Sequence, residues 1–210
     1  MQLDRPVRTK EQVIRDFRTS EILDAARRVI AEIGFAEASM ERIAQEAGIS
    51  KGTIYLYFEG KDALLVEALK YGFGLLIDRT RSAARRARGP HAKLCAVVQA
   101  WLEHSEDQRA FFESLEGWPQ LGTNGGSLLR DHLQPHTEAY LHFLVGLIER
   151  GIRMGAFRKV DSRRAARALL ELTRGAITER LRQAEPTSTA AEVAAIVDMF
   201  INGIGAGERT

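Results

Sequence analysis

Cysteine is almost absent from the sequence, since Cys95 is the only one among 210 residues. A lone cysteine excludes an intramolecular disulfide framework and fits a reducing compartment. No stretch approaches the roughly 20 apolar residues that a membrane-spanning helix needs. The charged N-terminus also lacks the apolar core of a signal peptide. We therefore expect a cytoplasmic protein with no membrane partner.

The signatures of common catalytic sites are also missing. The sequence has no Gly-rich phosphate loop and no HExxH pair. His132 and His136 are four residues apart and Glu138 is near, which on a regular helix is a spacing that binds metals. Pro135 argues against a regular helix there, and Cys95 lies in an apolar run typical of a packing thiol. We expect no enzyme, no cofactor and no metal site, and a helical metal-dependent enzyme is the least favoured alternative.

Strand-like alternation of apolar and polar residues is absent, whereas helical periodicity is widespread. The sequence predicts an all-α fold with about nine helices. The first should run from Thr19 or Ser20 to Ile33, where Gly34 stops it. Breakers at Gly89-Pro90, at 117–126 and at Pro186 separate the later ones. The next predicted helices span 40–47, 51–57 and 61–88, and two more lie within 91–116. A long helix is predicted at 127–154, with Pro135 either near its start or kinking it. A helix capped by Asp161 or Ser162 follows, and the last spans 187–204.

The pattern of residues 39–64 predicts two short helices joined by a tight turn, followed by the start of a third helix. Ser39 and Ser50 are side-chain N-caps, and Gly48 supplies the left-handed conformation that ends the first helix. Ile54 and Phe58 lie four apart, so they share the buried face of the second helix. This is the helix-turn-helix pattern, whose second helix enters the major groove of DNA.

The run from Ile43-Ala44 through Ala47-Gly48-Ile49-Ser50-Lys51-Gly52-Thr53-Ile54-Tyr55 and Tyr57-Phe58 to Lys61 and Leu64 resembles the DNA-binding domain of the TetR family of bacterial transcriptional regulators. The resemblance is specific over about residues 18–66. Over the rest it rests on length, helical pattern and a few late residues. It implies an N-terminal three-helix helix-turn-helix domain, residues 1–60, and a C-terminal helical domain for ligand binding and dimerisation, residues 61–210.

The recognition helix offers side chains of different reach. Thr53 suits a thymine methyl or a base edge, and Lys51 suits a guanine or a phosphate. Gly52 lets backbone approach the DNA. The resemblance implies phosphate contacts at Tyr55, Tyr57 and Lys61, although two tyrosines are also common in a core. The predicted DNA-binding residues are Ser39, Arg42, Ser50, Lys51, Gly52, Thr53, Tyr55, Leu56, Tyr57 and Lys61.

Charge position matters more here than charge total. Residues 1–61 contain ten Lys or Arg and ten Asp or Glu, and the whole chain carries a net charge of +2. Residues 1–17 are basic but have no clean period, so we expect a mobile arm. Such an arm is either a solvated tail or a segment whose arginines enter a minor groove. The basic run at 79–88 is typical of a solvated helix face.

Partners follow from the same reasoning. One helix-turn-helix reads too few base pairs for a unique site, so we expect a homodimer on a palindromic operator in double-stranded DNA. The last two helices are the predicted dimer interface, because 193–204 is apolar around much of its circumference and alanines at 190, 191, 194 and 195 allow close approach. The alternative is burial within one subunit.

The resemblance also implies a pocket for an unknown small-molecule effector among the middle helices. Most aromatic residues at helical spacing are simply core. Arg174 lies on an otherwise apolar helix face. Three roles are open for it: anchoring a ligand carboxylate, pairing with Glu171, or crossing a dimer interface. The predicted lining is Phe73, Trp101, His104, Phe111, Phe112, Trp118, His136, Tyr140, Phe143 and Arg174.

The sequence therefore predicts a sequence-specific DNA-binding repressor that a small ligand releases from its operator. The alternative is a DNA-binding activator or architectural protein that needs no ligand. A ligand that favours the wrong half-site spacing weakens DNA binding, and the fourth helix, shared by both regions, is the natural transmitter.

Overall fold

The computed structural model describes residues 9–114, 126–183 and 186–202. Every regular element in these ranges is a helix, which confirms the all-α prediction. The nine helices found there are α1 Lys10–Glu37, α2 Met40–Glu46, α3 Lys51–Ile54, α4 Lys61–Arg86, α5 Pro90–Asp107, α6 Arg109–Glu113, α7 Gly126–Arg153, α8 Ser162–Arg182 and α9 Thr189–Asn202. None of these nine has the length and apolar character that crossing a lipid bilayer requires.

The first helix starts nine or ten residues earlier than its apolar stripe predicts. Thr9 and Gln12 form a capping box, in which each side chain binds the other's backbone N–H. Residues 10–17 are therefore helical, and the prediction of a mobile arm is wrong for them, while residues 1–8 lie outside the described ranges. Gly34 takes φ +80°, so the regular helix ends where predicted, before one last turn to Glu37.

The helix-turn-helix forms as its caps predict. Ser39 Oγ accepts the N–H of Arg42, and Ser50 Oγ accepts the N–H of Thr53, both at 3.1 Å. Gly48 has φ +68° between the two helices. The prediction that α3 reaches Tyr57 is wrong, because the helix ends at Ile54 and the N–H groups of Leu56 and Tyr57 bond to carbonyls only three residues back.

The first compact unit comprises Met1–Gly72 with Ala110–Leu129. Within it α1 packs on α2 and α2 on α3. Apolar side chains from the first four helices and from the turn between α3 and α4 close its core, namely Ile22, Ala26, Ile30, Ile43, Ile54, Phe58, Leu64, Leu65 and Ala68. Burial of these side chains fixes the orientation of α3, whose other faces remain available.

The second unit comprises Phe73–Arg109 with Arg130–Thr210. Helices α5, α8 and α9 pack against one another, and residues of α4 and α7 complete a shared core. Asp161 is the N-cap of α8, one of the two predicted caps. Pro135 lies inside α7 rather than near its start, so that alternative is wrong. Most of the predicted loop at 117–126 lies outside the described residues.

The two units divide at Gly72, inside α4. The predicted boundary between residues 60 and 61 lies at the start of α4. The division of the chain into a DNA-binding part, 1–60, and a ligand-binding and dimerisation part, 61–210, remains a proposal. α4 is thus one continuous helix whose residues belong to both units.

Candidate DNA-binding surface and effector region

The side chain that the sequence assigns to base reading, Thr53, is held at the start of α3. Its Oγ1 lies 2.7 Å from Ser50 Oγ. Ser50 also caps the backbone N–H of Thr53, so the two residues fix each other's rotamers. The Thr53 side chain remains partly exposed. A fixed, accessible hydroxyl and methyl group is suited to a base edge.

The rest of α3 and the turn after it present a mixed polar and apolar surface. Tyr55 is 49% exposed and Leu56 is 75% exposed. Lys51 Nζ lies 3.1 Å from Glu41, with both side chains largely in solvent. Because exposed ion pairs contribute little, Lys51 is free to exchange Glu41 for another anion. Gly52 adds no side chain that would hold a partner away.

The two tyrosines are not core residues. Ile54 and Phe58, at 0% and 6% exposure, supply the buried contacts instead. Tyr57 is half-buried, and the Arg15 guanidinium lies 5.7 Å from its ring centroid. Arg15 is one of the arginines of the predicted arm, for which the sequence leaves a contact with a DNA minor groove open. Arg15 reaches Tyr57 because α1 begins at Lys10, and the first turns of α1 have no apolar periodicity that would predict this start.

Ser39, Arg42 and Lys61 lie at helix starts near this surface. Ser39 is the cap of α2, and Arg42 is exposed with its guanidinium 3.5 Å from Gln45. Lys61 Nζ donates to the Ala36 carbonyl at 3.0 Å and lies 4.3 Å from the centre of the Phe35 ring. Lys61 therefore has a structural role as well as a charge at the start of α4.

Comparison with known proteins decides the family. A sequence model described as "Bacterial regulatory proteins, tetR family" matches residues 22–68. The "Fatty acid metabolism regulator protein" of Bacillus subtilis is 30% identical over 151 residues, which cover 71% of this chain and 76% of that protein. The chain belongs to the TetR family. It is therefore a DNA-binding transcriptional regulator, and its relatives are regulators rather than enzymes.

Solved structures of transcriptional regulators share the fold over nearly the whole chain. The fatty acid degradation regulator FadR of Bacillus halodurans superposes with a TM-score of 0.72 at 26% identity, covering 89% of this chain and 96% of that one. FadR of Bacillus subtilis, solved in complex with stearoyl-CoA, gives a TM-score of 0.72 at 25% identity, with 89% and 99% covered. The similarity thus extends well beyond the helix-turn-helix.

The second unit of this TetR-family chain brings several predicted pocket residues together. Trp101 and Tyr140 meet edge to face with ring centroids 5.1 Å apart. Phe143 follows at 6.1 Å from Tyr140. Trp101, Tyr140 and the nearby α5 residue His104 are at most 9% exposed. These aromatics belong to the core cluster, so a ligand that reached them would enter an apolar environment.

Tyr140 has an unusual hydroxyl. It is fully buried and has no hydrogen-bond partner in the described part of the chain. Thr80 is close, and its own hydroxyl, which donates to the Ile77 carbonyl at 2.9 Å, makes no hydrogen bond of ordinary geometry with the Tyr140 hydroxyl. Burial raises the pKa of Tyr140 well above its ordinary value, and Thr80 opposes the effect more weakly. An unsatisfied buried hydroxyl is costly and is a natural partner for a polar ligand atom.

Other predicted pocket residues are not part of this cluster. Phe111 belongs to the first unit, Phe73 and His136 are half-buried, and Arg174 is exposed and pairs with Glu171 at 3.6 Å. Trp118 and the side chain of Phe112 lie outside the described residues. In the described ranges no group of three or more His, Cys, Asp or Glu side chains could hold a metal ion.

Two buried arginines are features that the sequence reading missed. Arg27 is 6% exposed, donates to the Ala68 carbonyl at 3.3 Å and lies 5.0 Å from the centre of the Phe111 ring. Burial lowers the pKa of Arg27, while Asp24 and Tyr71 oppose the shift. In the second unit, Arg180 is ion-paired with Glu106. Neither residue stands out from its neighbours in sequence, because both lie in charged helical runs.

Proposed function

We propose that the protein is a repressor that binds a palindromic operator as a homodimer and is released by a small-molecule effector. The observation that carries the proposal is the accessible surface of α3 and of the turn after it, where Lys51, Thr53, Tyr55 and Leu56 are exposed or partly exposed and the buried side chains of Ile54 and Phe58 anchor the segment. A two-fold dimer places two such surfaces about one helical turn of DNA apart, or a multiple of it.

The roles of the DNA-facing residues follow from their chemistry. Thr53 and Lys51 read base edges, and Gly52 lets the backbone of α3 come close. The hydroxyls and cations around them position the protein on phosphates. These positioning residues are Ser39, Arg42, Ser50, Tyr55, Tyr57 and Lys61, with Leu56 in apolar contact.

We assign the effector to the long-chain acyl-CoA class. Support comes from the Bacillus subtilis FadR, which was solved with stearoyl-CoA, and from the apolar, aromatic core around Trp101 and Tyr140. The unsatisfied Tyr140 hydroxyl would donate to a carbonyl oxygen of the ligand. By linkage, an effector that weakens DNA binding must itself bind more weakly to the DNA complex.

Release from DNA tests this proposal. The duplex recovered by selection from a random pool is labelled, and anisotropy is followed as stearoyl-CoA is added, with free coenzyme A and stearate as controls. We expect stearoyl-CoA to release the protein at concentrations where neither control does. Release by none of the three would remove acyl-CoA as the effector class, and would favour the alternative of a DNA-binding activator or architectural protein that needs no ligand.

A further inference from the structure

A basic cavity lies at the end of the second unit where α4 finishes, α5 begins and α7 approaches its C-terminus. Its volume is about 480 Å³, within the range of roughly 300–1,000 Å³ that small-molecule sites occupy. Four permanent cations line it: Arg81, Arg85, Lys93 and Arg150. His142 adds a fifth nitrogen-bearing side chain. Among the described residues that form the wall there is no aspartate or glutamate.

These arginines differ from others in the same unit. Arg79 binds Asp107 at 2.6 Å, and Arg163 binds Glu138 at 2.7 Å. By contrast, within the described ranges Arg81, Arg85 and Arg150 each lie beyond 4.0 Å from every carboxylate. Like charges that converge on one cavity repel one another, and an anion bound between them relieves that repulsion.

Helix capping accounts for only part of this charge. Lys93 Nζ donates to the Ala84 carbonyl at 2.6 Å, close to the C-terminus of α4, where a cation is favoured. Arg81 lies more than one turn before that end. Its guanidinium is 5.8 Å from the centre of the Phe143 ring. A stacked guanidinium keeps its edge donors for a ligand.

The remaining wall is apolar. Phe143, Leu147 and Ala84 contribute carbon surface. Gly146 faces open space, because a Cβ built there meets no atom within 4 Å. A ligand that matches both halves of the wall has strong negative charge at one end and an apolar or flat body at the other.

We propose that this cavity binds an organic polyphosphate, with its phosphates on Arg81, Arg85 and Arg150 and its body against Phe143 and Leu147. Guanidinium groups bind phosphate oxygens through paired N–H donors, and several of them favour more than one phosphate. A free nucleotide and the nucleotide end of a coenzyme A thioester share this chemistry. The proposal does not require an acyl-CoA effector and so goes beyond the proposed function.

Calorimetric titration of the full-length protein at one fixed salt concentration tests the proposal, with ADP, coenzyme A and adenosine as ligands. We expect ADP and coenzyme A to bind and adenosine, which has the same base without phosphate, not to bind. Coenzyme A binding at least ten times more tightly than ADP would identify the thioester cofactor as the source. Similar affinities would identify a free nucleotide. Absence of binding by both phosphorylated ligands would overturn the proposal.

Substitutions locate the site. Arg81→Gln and Arg150→Gln should each weaken binding about tenfold or more, because each removes a charge-assisted contact. Gly146→Leu should block the cavity without changing any charge. Arg153→Gln is the matched control, since Arg153 is on the same helix, is exposed and pairs with Glu149 outside the cavity. Equal affinity in Arg150→Gln and Arg153→Gln would place the ligand elsewhere and refute the assignment.

The two proposals fail separately. Loss of ADP or coenzyme A binding in Arg150→Gln is measured without DNA, whereas release by stearoyl-CoA is measured on the operator. If ADP binds as expected and stearoyl-CoA releases nothing, the cavity assignment stands and the acyl-CoA effector is wrong. If stearoyl-CoA releases the protein and neither ADP nor coenzyme A binds at the cavity, the acyl-CoA effector stands and the cavity assignment is wrong.

Discussion

At the scale of single residues, Thr53 has the position on which base recognition depends. Replacing it with alanine removes the hydroxyl that faces Ser50 and the methyl group that would face a base. We expect Thr53→Ala to cost about 1–3 kcal/mol and to relax preference at one base pair in each half-site. Binding to a panel of single-base operator variants measures this. Equal weakening on every sequence would make Thr53 a positioning residue.

Lys61 combines two roles that one substitution can separate. Its ammonium group donates a hydrogen bond to the Ala36 carbonyl and lies over the Phe35 ring. It also carries a positive charge at the N-terminus of α4, where anions bind. We expect Lys61→Ala to weaken binding to all DNA and to lower the slope of log affinity against log salt by about 0.9. A lower melting temperature with an unchanged slope would leave only the structural role.

Tyr140 provides a prediction opposite in sign to the usual effect of removing a tyrosine hydroxyl. Because the hydroxyl is buried without a partner, Tyr140→Phe should leave the free energy of unfolding unchanged or raise it by up to about 1–3 kcal/mol. Chemical denaturation measures this directly. A clear loss of stability would mean that the hydroxyl is satisfied in the folded protein.

The raised pKa of Tyr140 also gives a pH dependence. Its folded value lies above the ordinary 10.0, so the unfolded chain releases this proton first as pH rises. The corresponding stability is complete below about pH 10 and is lost above it. Tyr140→Phe should show a smaller alkaline loss than the native protein, and identical curves would contradict the shift.

At the scale of elements, the contact between α1 and α4 depends on one missing side chain. A Cβ on Gly72 would lie 1.8 Å from Nη1 of Arg27. Arg27 would have to leave the Ala68 carbonyl and the Phe111 ring, since it is buried. We expect Gly72→Ala to lower stability by about 1–3 kcal/mol despite the better helix propensity of alanine.

Gly74 is the matched control for this contact, because it lies on the same helix and a Cβ there meets nothing within 4 Å. Gly74→Ala should raise stability by roughly 0.5–1 kcal/mol through helix propensity alone. Thermal unfolding compares the two variants. Equal effects of both substitutions would show that Arg27 moves aside at little cost.

The helices themselves were largely predictable, and the exceptions have physical causes. Ser39, Gly48, Ser50 and Asp161 are local signals that act within a few residues, so the sequence shows where their helices begin and end. The first turns of α1 carry their apolar side chains in solvent, with Phe17 60% exposed. Because these turns bury no apolar face, the sequence shows no apolar periodicity from which this part of the helix could be predicted.

At the scale of the whole molecule, long-range contacts account for what the sequence could not supply. The α3 surface was predictable because its residues are contiguous. The basic cavity combines three separate helices, and the partners of Arg27 are 41 and 84 residues away. Periodicity reports only which face of a helix is buried, and not which residue of another helix meets it.

The proposed dimer can be tested on the exposed face of α9. Val193, Ile196 and Val197 are buried within the subunit, whereas Ala191 and Ala195 are exposed. We expect Ala195→Asp to convert the dimer to a monomer because it places an unpaired charge in the interface, and Ala92→Asp, at an exposed alanine of α5, to leave it dimeric. Sedimentation equilibrium measures the mass. A dimeric Ala195→Asp variant would move the interface elsewhere.

Selection from a random pool of duplex DNA, sequenced after binding at fixed salt, tests whether the protein is a sequence-specific dimer. We expect enrichment of a palindrome whose half-sites lie about one helical turn, or a multiple of it, apart. Enrichment should be lost with Thr53→Ala at the base pair that Thr53 reads. A folded protein that enriches no sequence would contradict a sequence-specific regulator, and a single unpaired half-site would contradict the dimer.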